Sequence, residues 1–335
     1  MYSHVLKTVD GHTAGEPLRI VTSGIPELSG RTMLERRRYA IEHINELRTV
    51  LMWEPRGHQD MYGAILTPPA TEDGDVGVLF MHNEGFSTMC GHGIIALATL
   101  GPEEGLIPLD WSDPVIRFDT PAGRVVANVF HENRRVQRVA FRNVPSFVLE
   151  SDSSVRVPGL GEVRFDLAFG GAFYAYVDAP SLGLELVPAE TDRIIDTAMS
   201  IKRELIGTTR LAHGVLGDDL DFLYGVILVG PAHGKAHSRN VCVFAEGEVD
   251  RSPTGTGVSG RIAIHHHRGE IGLKETIRIE SILGTTFEVA AIEALEMEGR
   301  RAVVPEVTGT ACLTGRHEFI VESRDPLGSG FLLDA

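Results

Sequence analysis

The chain lacks any apolar run of the ~18 residues a membrane-spanning helix needs, and its start, Met1-Tyr2-Ser3-His4, lacks the charged-then-apolar pattern of a secretion signal. A cytoplasmic protein with no membrane partner is the expectation. Positive charge is scarce. With 31 Lys and Arg against 46 Asp and Glu, the net charge is −15, which leaves no basic stripe for nucleic acid or an anionic lipid surface. A small ligand in a locally positive pocket remains open. Cysteine is also scarce: Cys90, Cys242 and Cys312 are far apart and form no CxxC pair, which argues against a disulfide framework and a structural zinc site. His12, His58, His82 and His92 are scattered without an HExxH or comparable spacing, and His265-His266-His267 sits at a helix end, where exposed histidines complement the dipole. No metal is expected.

What is present suits two domains of ordinary size, each with its own core, in 335 residues. Val5 to Val21 reads as two strands about a polar turn, Asp10 to Pro17. Arg31 to Leu51 reads as one amphipathic surface helix with Arg36-Arg37-Arg38 on its solvated face. Strands follow over Tyr62 to Thr67 and Val76 to His82, then a nearly continuous apolar stretch after Gly93 that predicts a buried helix. From Val115 to Phe147 the alternation is β-like, with Val125, Ala127 and Val129 on one face. The acidic, serine-rich Glu150-Ser151-Asp152-Ser153-Ser154 reads as an exposed crossing between domains. Beyond it come strands over Val163 to Ala168 and Phe173 to Val177, an amphipathic helix over Asp192 to Ile206, strands over Leu220 to Val229 and Asn240 to Phe244, and an alternating tail.

Two stretches share one pattern. Cys90-Gly91-His92-Gly93 and Thr254-Gly255-Thr256-Gly257 each place a hydroxyl or thiol, a glycine, a polar residue and a glycine ahead of an apolar helix, with strands before it. A helix start turns N–H groups without intrahelical partners, and the positive end of the dipole, toward whatever sits at its mouth. If the halves fold alike and the mouths face each other, a carboxylate between them receives N–H groups from both. A thiol at such a mouth has a lowered pKa and can act as a base near neutral pH. Converging N–H donors also stabilise the enediolate that forms when an amino acid loses its α-proton, without a metal. Asp250, four residues before Thr254, is placed to hold the substrate ammonium.

At these residues the chain resembles the proline racemase family, and the resemblance spans almost its whole length. His12-Thr13 with Gly15-Glu16-Pro17, Pro55-Arg56-Gly57-His58, Met89 to His92, Gly170 to Tyr174 and Asp250 to Gly257 match its motifs in order. The resemblance implies an α+β fold of two similar halves, each a barrel-like β-rich layer around a central helix, with the active site in the cleft between them. It further implies a first half of residues 1–148 plus 311–335 carrying Cys90, and a second half of 149–310 carrying Asp250 and Thr254. Racemases and epimerases of the family carry cysteine at both helix mouths. Threonine at 254 is instead characteristic of the trans-3-hydroxy-L-proline dehydratases, which Leu18 to Val21, Asp60 to Ala64 and Phe222 to Gly225 also resemble.

The implied chemistry needs no cofactor. Cys90 is expected as the base and Thr254 as the residue opposite it. Gly91, His92, Gly255 and Thr256 are expected to hold the carboxylate and Asp250 the ring ammonium of a hydroxyproline. A threonine hydroxyl is too weak an acid and base to exchange protons with an α-carbon at neutral pH, so elimination is expected in place of inversion. Two other readings stand beside this one: a proline or hydroxyproline racemase or epimerase, and a non-catalytic amino-acid-binding protein. Judged alone, Asp250 reads as a turn former, Gly170-Gly171 as a tight turn, and Cys242 and Cys312 as small packing residues. His12, His58 and His213 are candidates to line the pocket, with no role assigned to their side chains. A homodimer, common among soluble enzymes, is compatible with the chain.

Overall fold

A computed structural model of the chain describes residues 2–209, 211, 221–297 and 299–333. His213, expected at the pocket, lies outside the described residues. Contacts divide the chain into two compact units, Met1–Val139 with Thr310–Ala335, and Ala140–Gly309. The acidic stretch from Glu150 to Ser154 is not a crossing loop: it lies inside the strand Ser146–Val157. Its alternation of polar side chains put it in the class of exposed strands, where low hydrophobicity imitates a linker.

In the first unit the strand Tyr2–Thr13 runs antiparallel to both Glu16–Ser23 and the C-terminal Ala311–Glu322. From there the ladder continues to Tyr62–Thr67 (parallel), Val76–His82 (antiparallel), Val115–Thr120 (parallel) and Gly123–Glu132 (antiparallel). The expected single helix after Arg31 is two, α1 (Met33–His43) and α2 (Asn45–Met52), broken at Ile44. Thr32 and Glu35 form a capping box at the start of α1. Together α1 and α2 bury Met33, Ala40, Leu47 and Leu51 against Leu6, Ile65 and Leu79 on one side of the sheet. Arg36 and Arg37 are not simply solvated, since they donate to the carbonyls of Gly30 and Phe86. Helix α3 (Gly91–Glu103), buried from Gly91 to Gly101, packs on the other side of the sheet against Tyr2–Thr13 and Ala311–Glu322.

The second unit repeats this plan. Ser146–Val157, Gly161–Phe169 and Phe173–Asp178 pair antiparallel in turn, then come Leu223–Gly230 (parallel), Ser238–Phe244 (antiparallel), Thr276–Glu280 (parallel) and Thr286–Met297 (antiparallel). Arg300–Gly309 pairs with Thr286–Met297 and with Ser146–Val157, so the ladder closes on itself. Helix α4 (Thr191–Thr208) packs outside it, burying Ile194, Ala198 and Ile201. Helix α5 (Gly255–His267), buried from Gly255 to Ile264, lies within, against Ser146–Val157 and Arg300–Gly309. The alternation of parallel and antiparallel pairings, and the places where the helices enter, are the same in both units. What was a four-residue likeness in sequence is therefore a duplication of topology.

Even the strand clamps recur. Asp119 accepts from the Ala70 and Thr71 amides and pairs with Arg124, whereas Glu280 accepts from the His233 and Gly234 amides and pairs with Arg239. Burial raises the Glu280 carboxyl, but the His233 amide and Arg239 outweigh it and hold the group below the ordinary glutamate value. A depressed folded pKa contributes stability that is present above the unfolded value and is lost as pH falls through the folded one. Glu280→Ala, which strands the buried Arg239, is expected to lower unfolding free energy by about 3–5 kcal/mol in urea titrations near neutral pH. The difference should shrink in acid.

Candidate active site

Each central helix begins at a residue the preceding strand delivers to a buried mouth. In the first unit Cys90 is the N-cap of α3, with extended backbone (φ −142°, ψ 112°). It is 4% exposed. The first helical bond runs from the Ile94 amide to the Cys90 carbonyl at 3.0 Å, so the Gly91, His92 and Gly93 amides point out of the helix end. The Gly93 amide donates to Cys90 Sγ at 3.2 Å. A cap donor and the positive helix end both favour negative charge on that sulfur. The His92 imidazole stands beside it, with Nδ1 3.2 Å from Sγ. Thr13 fixes the turn by donating from Oγ1 to the His92 carbonyl at 2.9 Å.

In the second unit Thr254 is the N-cap of α5, but in a different conformation, φ 68° and ψ 99°. A β-branched residue at positive φ is strained by about 1–3 kcal/mol, and such strain concentrates at functional sites. Its hydroxyl, unlike the Cys90 sulfur, does not cap the helix, and Oγ1 is buried with no hydrogen-bond partner among the described residues. A local network sets this turn. Asp250 Oδ1 accepts from the Ser252 amide at 2.7 Å, and Ser252 Oγ accepts from the Thr254 amide at 3.1 Å. Arg261 donates to Asn240 Oδ1 at 2.6 Å, and Asn240 Nδ2 donates to the Pro253 carbonyl at 3.3 Å. Burial lowers Arg261 to about 10, so it stays charged at neutral pH. The turn-forming reading of Asp250 is thus correct for one oxygen of a carboxylate that is itself only 5% exposed.

Thr256 is held by a 2.7 Å bond between its Oγ1 and the Tyr174 hydroxyl. Burial, then the nearby Cys242 and Tyr224, push that hydroxyl well above the ordinary tyrosine range, so it remains a neutral partner. The Gly-x-Gly pattern has a steric cause. A Cβ on Gly93 would lie 2.4 Å from Phe80 Cε1 and 3.0 Å from Cys90 Sγ, and one on Gly257 would lie 2.4 Å from Ile227 Cδ1 and 3.1 Å from Thr254 Cβ.

Gly170 is more than a tight turn. A Cβ there would meet the Thr256 carbonyl oxygen at 2.2 Å and the Gly260 amide nitrogen at 2.5 Å, both backbone atoms that cannot rotate away. Gly170→Ala is expected to displace the first turn of α5, costing about 1–3 kcal/mol or more. Urea denaturation and substrate affinity should both report it, with KM rising.

His12 Nδ1 accepts from the Gly15 amide at 3.3 Å, and His58 Nδ1 lies 2.6 Å from the Gln59 carbonyl. Cys242 is fully buried, but Cys312 is exposed and so does not pack as a core residue. His265 is not an exposed helix-end residue either: it is half-buried, its pKa is lowered by burial, and Nδ1 lies 2.5 Å from Glu270. Sequence reading missed the His92 side chain, Tyr174 and Ser252. Only the first had a signal, the Cys-x-His spacing.

Duplicated topology with one buried Gly-x-Gly helix start per unit defines a two-fold repeated α+β protein in which a thiol and a hydroxyl occupy equivalent places. The chain belongs to the proline racemase family, whose model it matches over residues 8–332. It is 47% identical over 329 residues to a trans-3-hydroxy-L-proline dehydratase of Colwellia psychrerythraea, covering 98% of this chain and 92% of that one. It is 44% identical to the human protein of the same description, covering 98% and 95%. A solved hydroxyproline epimerase of Agrobacterium vitis, with trans-4-hydroxy-L-proline bound, superposes with a TM-score of 0.94 at 30% identity, covering 99% and 96%. No helix among the described residues is long and apolar enough to cross a membrane.

Proposed function

We propose that this protein is a hydro-lyase that converts trans-3-hydroxy-L-proline to pyrroline-2-carboxylate and water. The observation that carries the reading is threonine at 254, at the α5 start, where the α3 start has Cys90. The relatives described as dehydratases support it.

In this reading the substrate carboxylate rests on the amides of Gly91, His92, Gly255 and Thr256, and Asp250 takes the ring ammonium. Cys90, as thiolate, removes the α-proton. Charge moving onto the carboxylate meets amide dipoles already in place, which lowers the barrier without reorganisation. The carbanion has then two fates. Protonation on its other face would invert the centre, but the only side chain assigned there is Thr254, whose hydroxyl cannot supply a proton at a useful rate. Loss of the 3-hydroxyl remains, giving an enamine that tautomerises to the cyclic imine. Incubation of the protein with trans-3-hydroxy-L-proline should yield that imine, detected with o-aminobenzaldehyde. Folded protein that produces none would sink the reading.

A further inference from the structure

We propose that the His92 imidazole is the acid that protonates the departing 3-hydroxyl, an inference that rests on the dehydration reading above. In trans-3-hydroxy-L-proline the hydroxyl is trans to the carboxylate and therefore on the same ring face as the α-hydrogen. Whatever group helps it leave must stand on the side of the base. His92 does: its Nδ1 and Nε2 lie 3.2 and 3.6 Å from Cys90 Sγ. His92 is 4% exposed, its ring is set edge-on to Tyr62 at 4.8 Å, and Tyr62 is held in turn by Ser87 at 2.6 Å. The sulfur also has a second stabilising partner, since the Gly93 amide donates to it at the positive end of α3.

The step balances within the pair. Cys90 begins as thiolate and His92 as imidazolium. The α-proton bonds to Sγ while the Cα–H electrons move onto the carboxylate as the enediolate, and these electrons then return to form the C2–C3 π bond. The C3–O bond breaks with its electrons going to oxygen, and the His92 proton completes water. The new S–H then returns its proton to the adjacent imidazole, restoring both groups without a co-reactant.

The test compares His92→Gln with wild type on two substrates, trans-3-hydroxy-L-proline and trans-3-fluoro-L-proline, whose fluoride leaves without needing a proton. His92→Gln should lower kcat for dehydration by about 10²-fold or more. In a single turnover, before the new S–H has to give up its proton, it should still release fluoride at a rate near that of wild type. Dehydration near the wild-type rate would overturn the proposal. Equal loss of water and fluoride release would overturn it too, by showing that His92 only shapes the turn. A wild-type protein that releases neither water nor fluoride would contradict the dehydration reading itself, and this one with it.

Discussion

Cys90→Ala is expected to abolish dehydration, with kcat falling by about 10⁴-fold, the upper range for loss of a positioned base. Cys90→Ser should be nearly as inactive, because a serine hydroxyl is protonated at neutral pH and the helix end cannot ionise it. The fold should survive both. Cys90 is the N-cap of α3 and its sulfur accepts one amide bond, so alanine costs about 1 kcal/mol, while serine is itself a good cap. Circular dichroism and calorimetric binding of pyrrole-2-carboxylate would show a folded protein that still holds a carboxylate. Imine formation within tenfold of wild type in either variant would remove Cys90 from the chemistry.

The second large effect is a gain. Thr254→Cys places a second thiol at the start of α5, and the variant is expected to interconvert the α-epimers of a 4-hydroxyproline, which has no leaving group at C3. Its rate should stand about 10²-fold or more above the wild-type background. The backbone favours the change. Position 254 sits at φ 68°, where a β-branched side chain is most strained, and cysteine is not β-branched. Polarimetry and chiral chromatography would follow the reaction. Thr254→Ser serves as the control and should gain nothing. A Thr254→Cys protein that dehydrates normally yet shows no inversion would mean that the hydroxyl at 254 is not what separates the two outcomes.

Much of this was legible in the residues because it is carried by local, short-range rules. The buried helix after Gly93, the Gly-x-Gly starts and the strands flanking them follow from apolar spacing and from glycine's lack of a side chain. Duplication was visible only as four matching residues, since a strand is specified by alternation that many sequences satisfy, whereas the order of parallel and antiparallel pairings depends on distant partners. The same cause made Glu150 to Ser154 look like a linker: its polar side chains are those of an exposed strand segment paired with Gly161–Phe169. Arg36 and Arg37 looked solvated for a similar reason, as their carbonyl partners, Gly30 and Phe86, are invisible to a helical wheel.

At the site itself the residues that could be named in advance were those with intrinsic chemistry at a helix start: Cys90, Asp250 and Thr254. Conformation was not legible. Nothing in Ser252-Pro253-Thr254 announces a left-handed backbone at the threonine, which follows from the Asp250–Ser252–Thr254 hydrogen bonds. The placement of the His92 ring beside the sulfur likewise depends on Thr13 and Tyr62, far away in the chain.

One reaction tests the central claim, that a single acid/base at Cys90, with an inert Thr254 at the equivalent helix start, gives elimination and not inversion. Wild-type protein is incubated with trans-3-hydroxy-L-proline, and one set of time points is analysed both for the cyclic imine and, by chiral chromatography, for cis-3-hydroxy-D-proline, the α-epimer. The imine should rise in step with loss of substrate while the epimer stays at background throughout. Accumulation of the epimer at a rate comparable to imine formation, or in its place, would contradict the account.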